Sequence, residues 1–286
     1  MKLSIIIPTY NRADLITRAL ESVQAGSLSN GANEVEIIVV DDGDDDTEDK
    51  VRMFEQNHPE IKVVYLHRTS KKGVNSARNE GVRRASSGWV SFLDSDDEYV
   101  PGGLEIIFRT LPTMSKEISV VAFMTEREVD RVMMPRGYLI SEKWSAYKPS
   151  YEEVLLKTGL TGDVHYCYRR AIFSDYFCFP EDIQGFESSF CARLARHGFS
   201  FLYINKIVDR RYTGSYEHLG AYEKWPAQYA KHFKLFIKEN EEALKKYPKK
   251  YAYFCRSAAS SSFRAGDLSS IYWFFKYIFI ILYFIL

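Results

Sequence analysis

Short apolar runs alternate with amphipathic segments over the first 110 residues of the chain. Four runs are continuous and rich in β-branched or aromatic residues, which is typical of buried strands. They cover residues 3–7, 35–40, 61–65 and 89–93. Between them, apolar side chains recur at helical spacing, as in residues 15–23. Strands that alternate with helices predict βαβ units and a parallel sheet, in which ligands bind beyond the carboxyl ends of the strands.

The pattern becomes less regular after residue 112. We predict strands at residues 120–125 and 201–204 and a helix at residues 187–197 in this middle part. From residue 219 onward the spacing of apolar residues is helical. The chain is therefore divided into residues 1–112, residues 113–218 and a helical C-terminal extension, residues 219–286.

The last segment, residues 271–286, is almost wholly apolar and carries a single charge at Lys276. As a helix it would rise about 24 Å, short of the ~30 Å hydrocarbon core of a bilayer. Two interpretations stay open. The helix lies in or on a membrane with Lys276 reaching the interface, or it packs on the body or on a second subunit. Within the first interpretation, a helix that crosses the whole membrane is less favoured than one that lies in or on it.

Charge and composition narrow the function classes. Lys and Arg number 38 against 38 Asp and Glu, and this balance argues against a nucleic-acid partner, since such binders carry a basic excess. The apolar run at residues 3–7 stops at Pro8 and is shorter than the roughly 7–15 residues of a signal-peptide core. The four cysteines form no C-x-x-C pair, which indicates thiols in a reducing compartment. We therefore expect a cytoplasmic protein.

Two acidic groups follow predicted strands. Asp41 and Asp42 come after the second strand, and Asp94, Asp96 and Asp97 come after the fourth. We expect both groups to meet at one edge of the sheet, where their mutual repulsion calls for a cation or hydrogen-bond donors. Carboxylate oxygens suit Mg²⁺ or Mn²⁺. The alternative for the second group is a solvated loop or a cap for the following helix.

Four sequence runs, in order and spacing, resemble the family 2 glycosyltransferases of GT-A fold: SIIIPTYNR, IIVVDDGDDD, GVNSARNEGV and WVSFLDSDD. The resemblance implies an α/β, Rossmann-like, mostly parallel central sheet flanked by helices, with a helical C-terminal extension. It implies that residues 1–112 bind the nucleotide-sugar. Residues 113–218 would then bind the acceptor and supply the catalytic base.

The resemblance also assigns roles to residues. Those expected to bind the nucleotide are Pro8, Thr9, Tyr10, Asp41, Asp42, Arg78 and Asp94. A carboxylate can accept a hydrogen bond from the N3–H of uracil, so we expect a UDP-linked donor. For Arg78 two roles stay open: it binds the diphosphate, or it holds the acidic cluster in place.

The same resemblance implies a divalent metal, Mn²⁺ or Mg²⁺, held by Asp96 and Asp97, with His218 as a further ligand. It also implies a loop that folds over the diphosphate and contributes Arg211 and Ser215.

The expected general base departs from the family pattern, which has Glu-Asp at a helix start and a basic residue six positions after the Asp. Here Phe186 precedes Glu187, and Arg193 lies six residues beyond Glu187. We favour Glu187 as the base. Asp182 is the rival, and if neither serves, the protein is a non-catalytic member of the fold.

The predicted function is an inverting transfer of a sugar from a nucleotide-diphosphate donor to a hydroxyl of a lipid-linked or surface-polysaccharide acceptor. The C-terminal tail would hold the enzyme on the inner leaflet, at the cytoplasmic face of the membrane. Two alternatives are a non-catalytic nucleotide-sugar-binding protein and an Asp-dependent phosphatase, which also carries Asp-x-Asp after an apolar strand. The chain has no G-x-G-x-x-G after its first strand and no Walker P-loop, which leaves dinucleotide redox chemistry and P-loop phosphate binding without support.

Overall fold

The computed structural model describes residues 1–27, 34–70, 73–129, 132–135, 138–139, 145–156, 160–161, 164–212 and 225–284. The helices in these ranges are α1 Ala13–Ser27, α2 Thr47–Asn57, α3 Val74–Arg84, α4 Gly103–Thr110, α5 Tyr151–Leu156, α6 Glu187–Arg196, α7 Pro226–Leu244, α8 Pro248–Arg264 and α9 Ser269–Phe284. The strands are β1 Lys2–Thr9, β2 Glu34–Asp41, β3 Lys62–His67, β4 Trp89–Phe92, β5 Glu98–Tyr99, β6 Ile118–Val129, β7 Val132–Pro135, β8 Tyr138–Leu139, β9 Ala146–Tyr147, β10 Leu160–Thr161, β11 Val164–Arg169 and β12 Ser200–Arg211.

One mixed sheet, of ten strands within the described ranges, runs through the molecule in the order β3-β2-β1-β4-β11-β6-β12-β5, with β7 beside β6 and β9 beside β12. The strands predicted in the first 110 residues are β1 to β4, and they pair in parallel. After β4 the sheet continues with antiparallel β11, which also pairs antiparallel with β6, while β12 returns parallel to β6. The four neighbouring parallel strands β1 to β4 thus come from the first third of the chain.

Helices cover both faces of the sheet, because β1, β2 and β4 are apolar on both sides. One apolar cluster packs α1, α2 and α4 against the sheet, with Ile16, Leu20 and Leu104 fully buried. The other packs α3 and α6 against the opposite face, with Phe190 and Leu194 fully buried. The sheet edge that carries the strand ends is therefore held rigidly from two sides.

The C-terminal helices α7, α8 and α9 form a third cluster that contacts α5 and α6. α9 packs on α8 through Trp273 and Ile280, which are buried. Lys276 donates to a Glu241 oxygen of α7 at 2.8 Å, so its charge is neutralised within the protein. None of the described helices combines the length and the apolarity needed to cross a bilayer.

Candidate active site

The loops that follow β1, β2 and β4 meet at one edge of the sheet. β1 lies between β2 and β4, and the Asp42 amide donates to the Thr9 carbonyl at 3.1 Å, which joins the first two loops. The acidic residues after β2 and after β4 therefore flank the same strand, as the sequence pattern predicts.

Asp41 ends β2 and is fixed by two hydrogen bonds. Its Oδ1 accepts from the Gly43 amide at 2.7 Å, and its Oδ2 accepts from the Tyr65 hydroxyl at 2.8 Å. Burial raises the pKa of Asp41, and these hydrogen bonds only partly offset that effect. Both oxygens are engaged within the protein, so Asp41 shapes the loop that presents Asp42.

Asp42 receives a two-pronged guanidinium contact that the sequence did not reveal. Arg68, just beyond β3, donates from Nε to Oδ1 at 2.6 Å and from Nη2 to Oδ2 at 2.7 Å. The Gly73 amide donates to Oδ2 at 3.0 Å. Such bidentate contacts fix the plane of a carboxylate, and a second lone pair of Oδ1 is left to accept from a ligand.

The end of β1 borders this carboxylate pair. Pro8 and Thr9 are buried, whereas Tyr10 is 49% exposed and offers its ring at the sheet edge. The Thr9 hydroxyl oxygen is buried and has no hydrogen-bond partner among the described residues. An exposed aromatic residue after β1 and a fixed carboxylate after the neighbouring strand β2 are groups that suit a nucleobase.

Arg78 joins two parts of the site. It lies on α3, which sits so close to β1 that a Cβ at Gly81 would stand 2.3 Å from a methyl carbon of Ile6. Its buried guanidinium contacts Glu187 at 2.7 Å and Asp94 at 3.0 Å. Burial alone would lower the pKa of Arg78, but the two carboxylates outweigh it and raise the pKa. This contact supports the second of the two roles left open, since Arg78 holds acidic groups together.

The acidic residues after β4 differ in their surroundings. The Asp96 carboxylate pairs with Arg12 at 2.6 Å, and its backbone carbonyl accepts from Arg18. Asp97 Oδ1 accepts from the Tyr212 amide at 3.2 Å. Burial, and then the nearby charge of Asp94, raise the pKa of Asp97 well above its usual range.

A small cavity of about 30 Å³ lies where these groups converge. The charged side chains that line it are Arg78, Asp94, Asp97, Glu187, Asp209 and Arg211. Of the predicted metal ligands it includes Asp97 but not Asp96, whose carboxylate faces Arg12. The cavity therefore brings the predicted base, Glu187, together with Arg211, which is predicted to bind the diphosphate, and with Asp97, which is a predicted metal ligand.

A buried polar network supports the floor of the cavity. His165 of β11 contacts Asp209 of β12 through Nδ1 at 2.9 Å and the Ser91 hydroxyl through Nε2 at 2.6 Å. Asp209 Oδ1 is buried without a hydrogen-bond partner among the described residues. No short-range sequence pattern singles out Asp209, because its contact with His165 depends on strand pairing across more than 40 residues.

The two candidate bases lie in different places. Glu187 is the first residue of α6 and lines the cavity, whereas Asp182 is exposed and is not among the lining residues. Arg193, six residues beyond Glu187, pairs with Glu239 of α7 at 2.6 Å. Of the two, the geometry favours Glu187.

The carboxylates at the cavity suit a divalent metal ion that binds together with a substrate phosphate. Among the described residues, no group of three or more potential ligands stands in metal-binding geometry. Mg²⁺ uses one or two protein carboxylates together with substrate phosphates, so Asp94 and Asp97 at the cavity fit such an ion. Ser215 and His218 lie outside the described residues, and their predicted roles stay predictions.

The model of glycosyl transferase family 2 matches residues 4–177 of the chain. The chain belongs to glycosyl transferase family 2. This membership confirms the predicted family and, at the family level, the predicted enzyme class. It also removes the Asp-dependent phosphatase as an alternative.

A curated relative from Campylobacter jejuni, a GalNAc(5)-diNAcBac-PP-undecaprenol beta-1,3-glucosyltransferase, is 38% identical over 109 residues. The match covers 38% of this chain and 34% of the relative. The chain thus spans about a third of that relative's length.

Two solved structures share the fold. Residues 1–349 of S. aureus TarS with UDP-GlcNAc superpose with a TM-score of 0.65 at 22% identity, covering 92% of this chain and 72% of that one. The Pyrobaculum calidifontis mannosyltransferase PcManGT with GDP-Man and Mn²⁺ has a TM-score of 0.61 at 19% identity, covering 99% and 81%. The predicted GT-A fold is confirmed.

Proposed function

We propose that this family 2 glycosyltransferase moves a sugar from a UDP-linked donor to a hydroxyl of a lipid-linked or surface-polysaccharide acceptor, with inversion at the anomeric carbon. The observation that carries the proposal is the cavity in which Arg78 contacts both Glu187 and Asp94. It brings a carboxylate able to act as a base next to carboxylates suited to a metal–diphosphate group.

The nucleotide would lie across the strand ends. Asp42, held by Arg68, accepts the uracil N3–H, and the exposed Tyr10 ring stacks on the base. The carboxyl groups of Asp94 and Asp97 would face the diphosphate, where a bound Mn²⁺ or Mg²⁺ would neutralise charge on the leaving group. The TarS and PcManGT structures support a nucleotide-sugar ligand, since they hold UDP-GlcNAc and GDP-Man.

Glu187 would remove the proton of the acceptor hydroxyl. The freed oxygen attacks the anomeric carbon and forms the new glycosidic bond. The bond from that carbon to the diphosphate oxygen breaks, and the nucleotide diphosphate leaves with the electron pair. Arg78 orients Glu187 through the 2.7 Å contact between its guanidinium and the Glu187 carboxylate.

We expect nucleotide release from UDP-sugars when the purified chain is screened against UDP-, GDP- and dTDP-sugars with Mn²⁺. Addition of EDTA should abolish release, because the diphosphate then leaves with its charge uncompensated. The measurement is nucleotide formed per enzyme per minute. Nucleotide release from GDP-sugars alone would contradict the proposal that the site binds uracil. Release that continues in EDTA would contradict the proposal that the reaction needs a divalent metal.

The lipid-linked acceptor is supported by the surface of the C-terminal helices. A groove of about 520 Å³ between α8 and α9 is lined by apolar side chains such as Phe263, Ile271, Phe274 and Phe275. Phe263 of α8 and several large apolar residues of α9, among them Ile271, Phe274 and Phe275, are more than half exposed. Monomeric soluble proteins rarely expose so contiguous an apolar patch. In the proposal α9 lies on the inner leaflet and brings the active site near the acceptor.

Charged substitutions on α9 should release the protein from lipid. We expect Phe275→Glu and Leu282→Glu together to reduce co-flotation with phosphatidylglycerol-containing vesicles by about tenfold, because two charges would enter the lipid interface. Met53→Glu on α2, at a residue that is 57% exposed, is the matched control and should leave flotation unchanged. Equal flotation of the wild type, the double variant and Met53→Glu would contradict membrane contact through α9.

A further inference from the structure

The backbone just before the proposed base has an unusual conformation. Gly185 and Phe186 both have positive φ, +73° and +60°. A glycine adopts this region without cost, but a phenylalanine does not. Within the described residues, the other non-glycine residue with positive φ is Asn11, a type that tolerates this region. A phenylalanine keeps this backbone conformation only if contacts with the surrounding structure stabilise it. Residues strained in this way are found most often at active sites and ligand-binding sites.

The contacts that hold Phe186 come from α7. Its ring lies face to face with the His232 ring, with centroids 4.0 Å apart and planes inclined by 10°. The Tyr229 ring meets it edge-on at 4.8 Å. Two rings of one helix thus fix the side chain of the residue that precedes Glu187.

His232 also contacts the residue two positions after the base. Its Nδ1 lies 2.9 Å from the Ser189 hydroxyl oxygen, and both side chains belong to buried residues. One imidazole ring therefore contacts the chain on both sides of Glu187, at Phe186 just before α6 and at Ser189 within it. A helix start that is held at two points leaves its first side chain little freedom to shift.

The loop that leads into α6 is anchored as well. The Gln184 amide donates to the Gln228 side-chain oxygen of α7 at 3.2 Å. Asn75 of α3 donates from Nδ2 to the carbonyl of Gly185 at 2.9 Å. These contacts tie the loop to α7 and to α3, and α3 is the helix that also carries Arg78 against the Glu187 carboxylate.

We propose that His232 is a positioning residue for catalysis: by stacking on Phe186 and contacting Ser189 it fixes the carboxylate of Glu187 at the cavity. The inference deepens the proposed function and rests on it. Under this inference α7 takes part in positioning the base, although the sequence pattern predicts residues 219–286 only as a helical extension. It also accounts for the aromatic residue at position 186, where the family pattern has a glutamate.

The test compares His232→Ala and His232→Phe with Leu244→Ala, which truncates a buried side chain elsewhere on α7. Three quantities are measured on the full chain: turnover of the UDP-sugar, affinity for UDP by calorimetry, and hydrogen–deuterium exchange of amides 187–190. His232→Phe retains a ring for Phe186 and loses the contact with Ser189.

We expect His232→Ala to lower kcat by about 10- to 100-fold, because a small misplacement of a catalytic group is costly. UDP affinity should stay within about twofold, since the nucleotide contacts are untouched. Exchange of amides 187–190 should rise, and His232→Phe should recover part of the lost kcat. Leu244→Ala should destabilise the protein while kcat and this exchange stay at wild-type values.

Two results would overturn the inference. One is a kcat loss in His232→Ala no greater than in Leu244→Ala, and the other is unchanged exchange of amides 187–190. If the wild-type chain neither binds UDP nor turns over a UDP-sugar, the proposed function fails. Raised exchange in His232→Ala would then still show that His232 holds the start of α6.

Discussion

Glu187→Gln should lower the rate of sugar transfer by about 10²- to 10⁴-fold, the contribution typical of a general base. Glutamine has nearly the same shape as glutamate but cannot take up the acceptor proton at neutral pH. Its amide oxygen can still accept from Arg78, which contacts the Glu187 carboxylate at 2.7 Å. We therefore expect the fold and the affinity for UDP to be preserved, and the measurement is kcat of transfer beside calorimetric UDP binding.

The control is Asp182→Asn, which removes the carboxylate of the rival base at an exposed position. It should leave kcat at the wild-type value. A Glu187→Gln variant that keeps full turnover would contradict the assignment, and a loss in Asp182→Asn instead would transfer the role to that residue. UDP binding by a wild-type protein without turnover would identify a non-catalytic member of the family.

Arg78→Met should destabilise the protein strongly, because it leaves two carboxylates without their cation. The guanidinium is buried and compensates both Asp94 and Glu187, at 3.0 and 2.7 Å. Removing one partner of a fully buried ion pair costs about 3–5 kcal/mol. The two carboxylates are 37% and 39% exposed, so water screens part of the uncompensated charge, and we expect a loss of about 2–3 kcal/mol.

Arg83→Met is the matched control for this change, because it removes a guanidinium from the same helix. The Arg83 side chain is 59% exposed and pairs with Glu80 on the surface, a contact that is worth about 0–1 kcal/mol. Urea unfolding of both variants gives the comparison. Equal free energies of unfolding for the two would show that Arg78 does not hold the acidic cluster together.

The parallel half of the fold follows from short-range sequence features. β1, β2 and β4 are apolar on both faces, and Asp41 and Asp94 stand at or just beyond their carboxyl ends. Since carboxyl ends of neighbouring parallel strands share an edge, the meeting of these carboxylates is predictable without knowledge of side-chain contacts. The family membership rests on the same segments.

The partners of these carboxylates are harder to foresee. Arg68 reaches Asp42 because β3 pairs with β2 in the register that sets His67 beside Asp41. A slip of one residue would turn Arg68 toward the other face of the sheet. The contact thus depends on a register that the sequence of either strand alone does not specify.

Asp209 illustrates the same difficulty in the irregular half. The pairing of β12 with β6 shifts between Ile204 and Ile207 and again between Ile207 and Asp209. Each such irregularity changes which residues of the strand face the cavity. The contact between Asp209 and His165 therefore depends on two register shifts that leave no short-range signal in the sequence.

The central claim is that carboxylates at the ends of separate strands bind a divalent ion, and through it a nucleotide diphosphate, beside Glu187. Anomalous diffraction from crystals grown with UDP and Mn²⁺ tests it most directly. The account predicts a manganese peak in the cavity, in contact with the diphosphate and with the carboxylate of Asp94 or Asp97. Bound UDP with manganese elsewhere, or UDP bound away from Asp42, would contradict it.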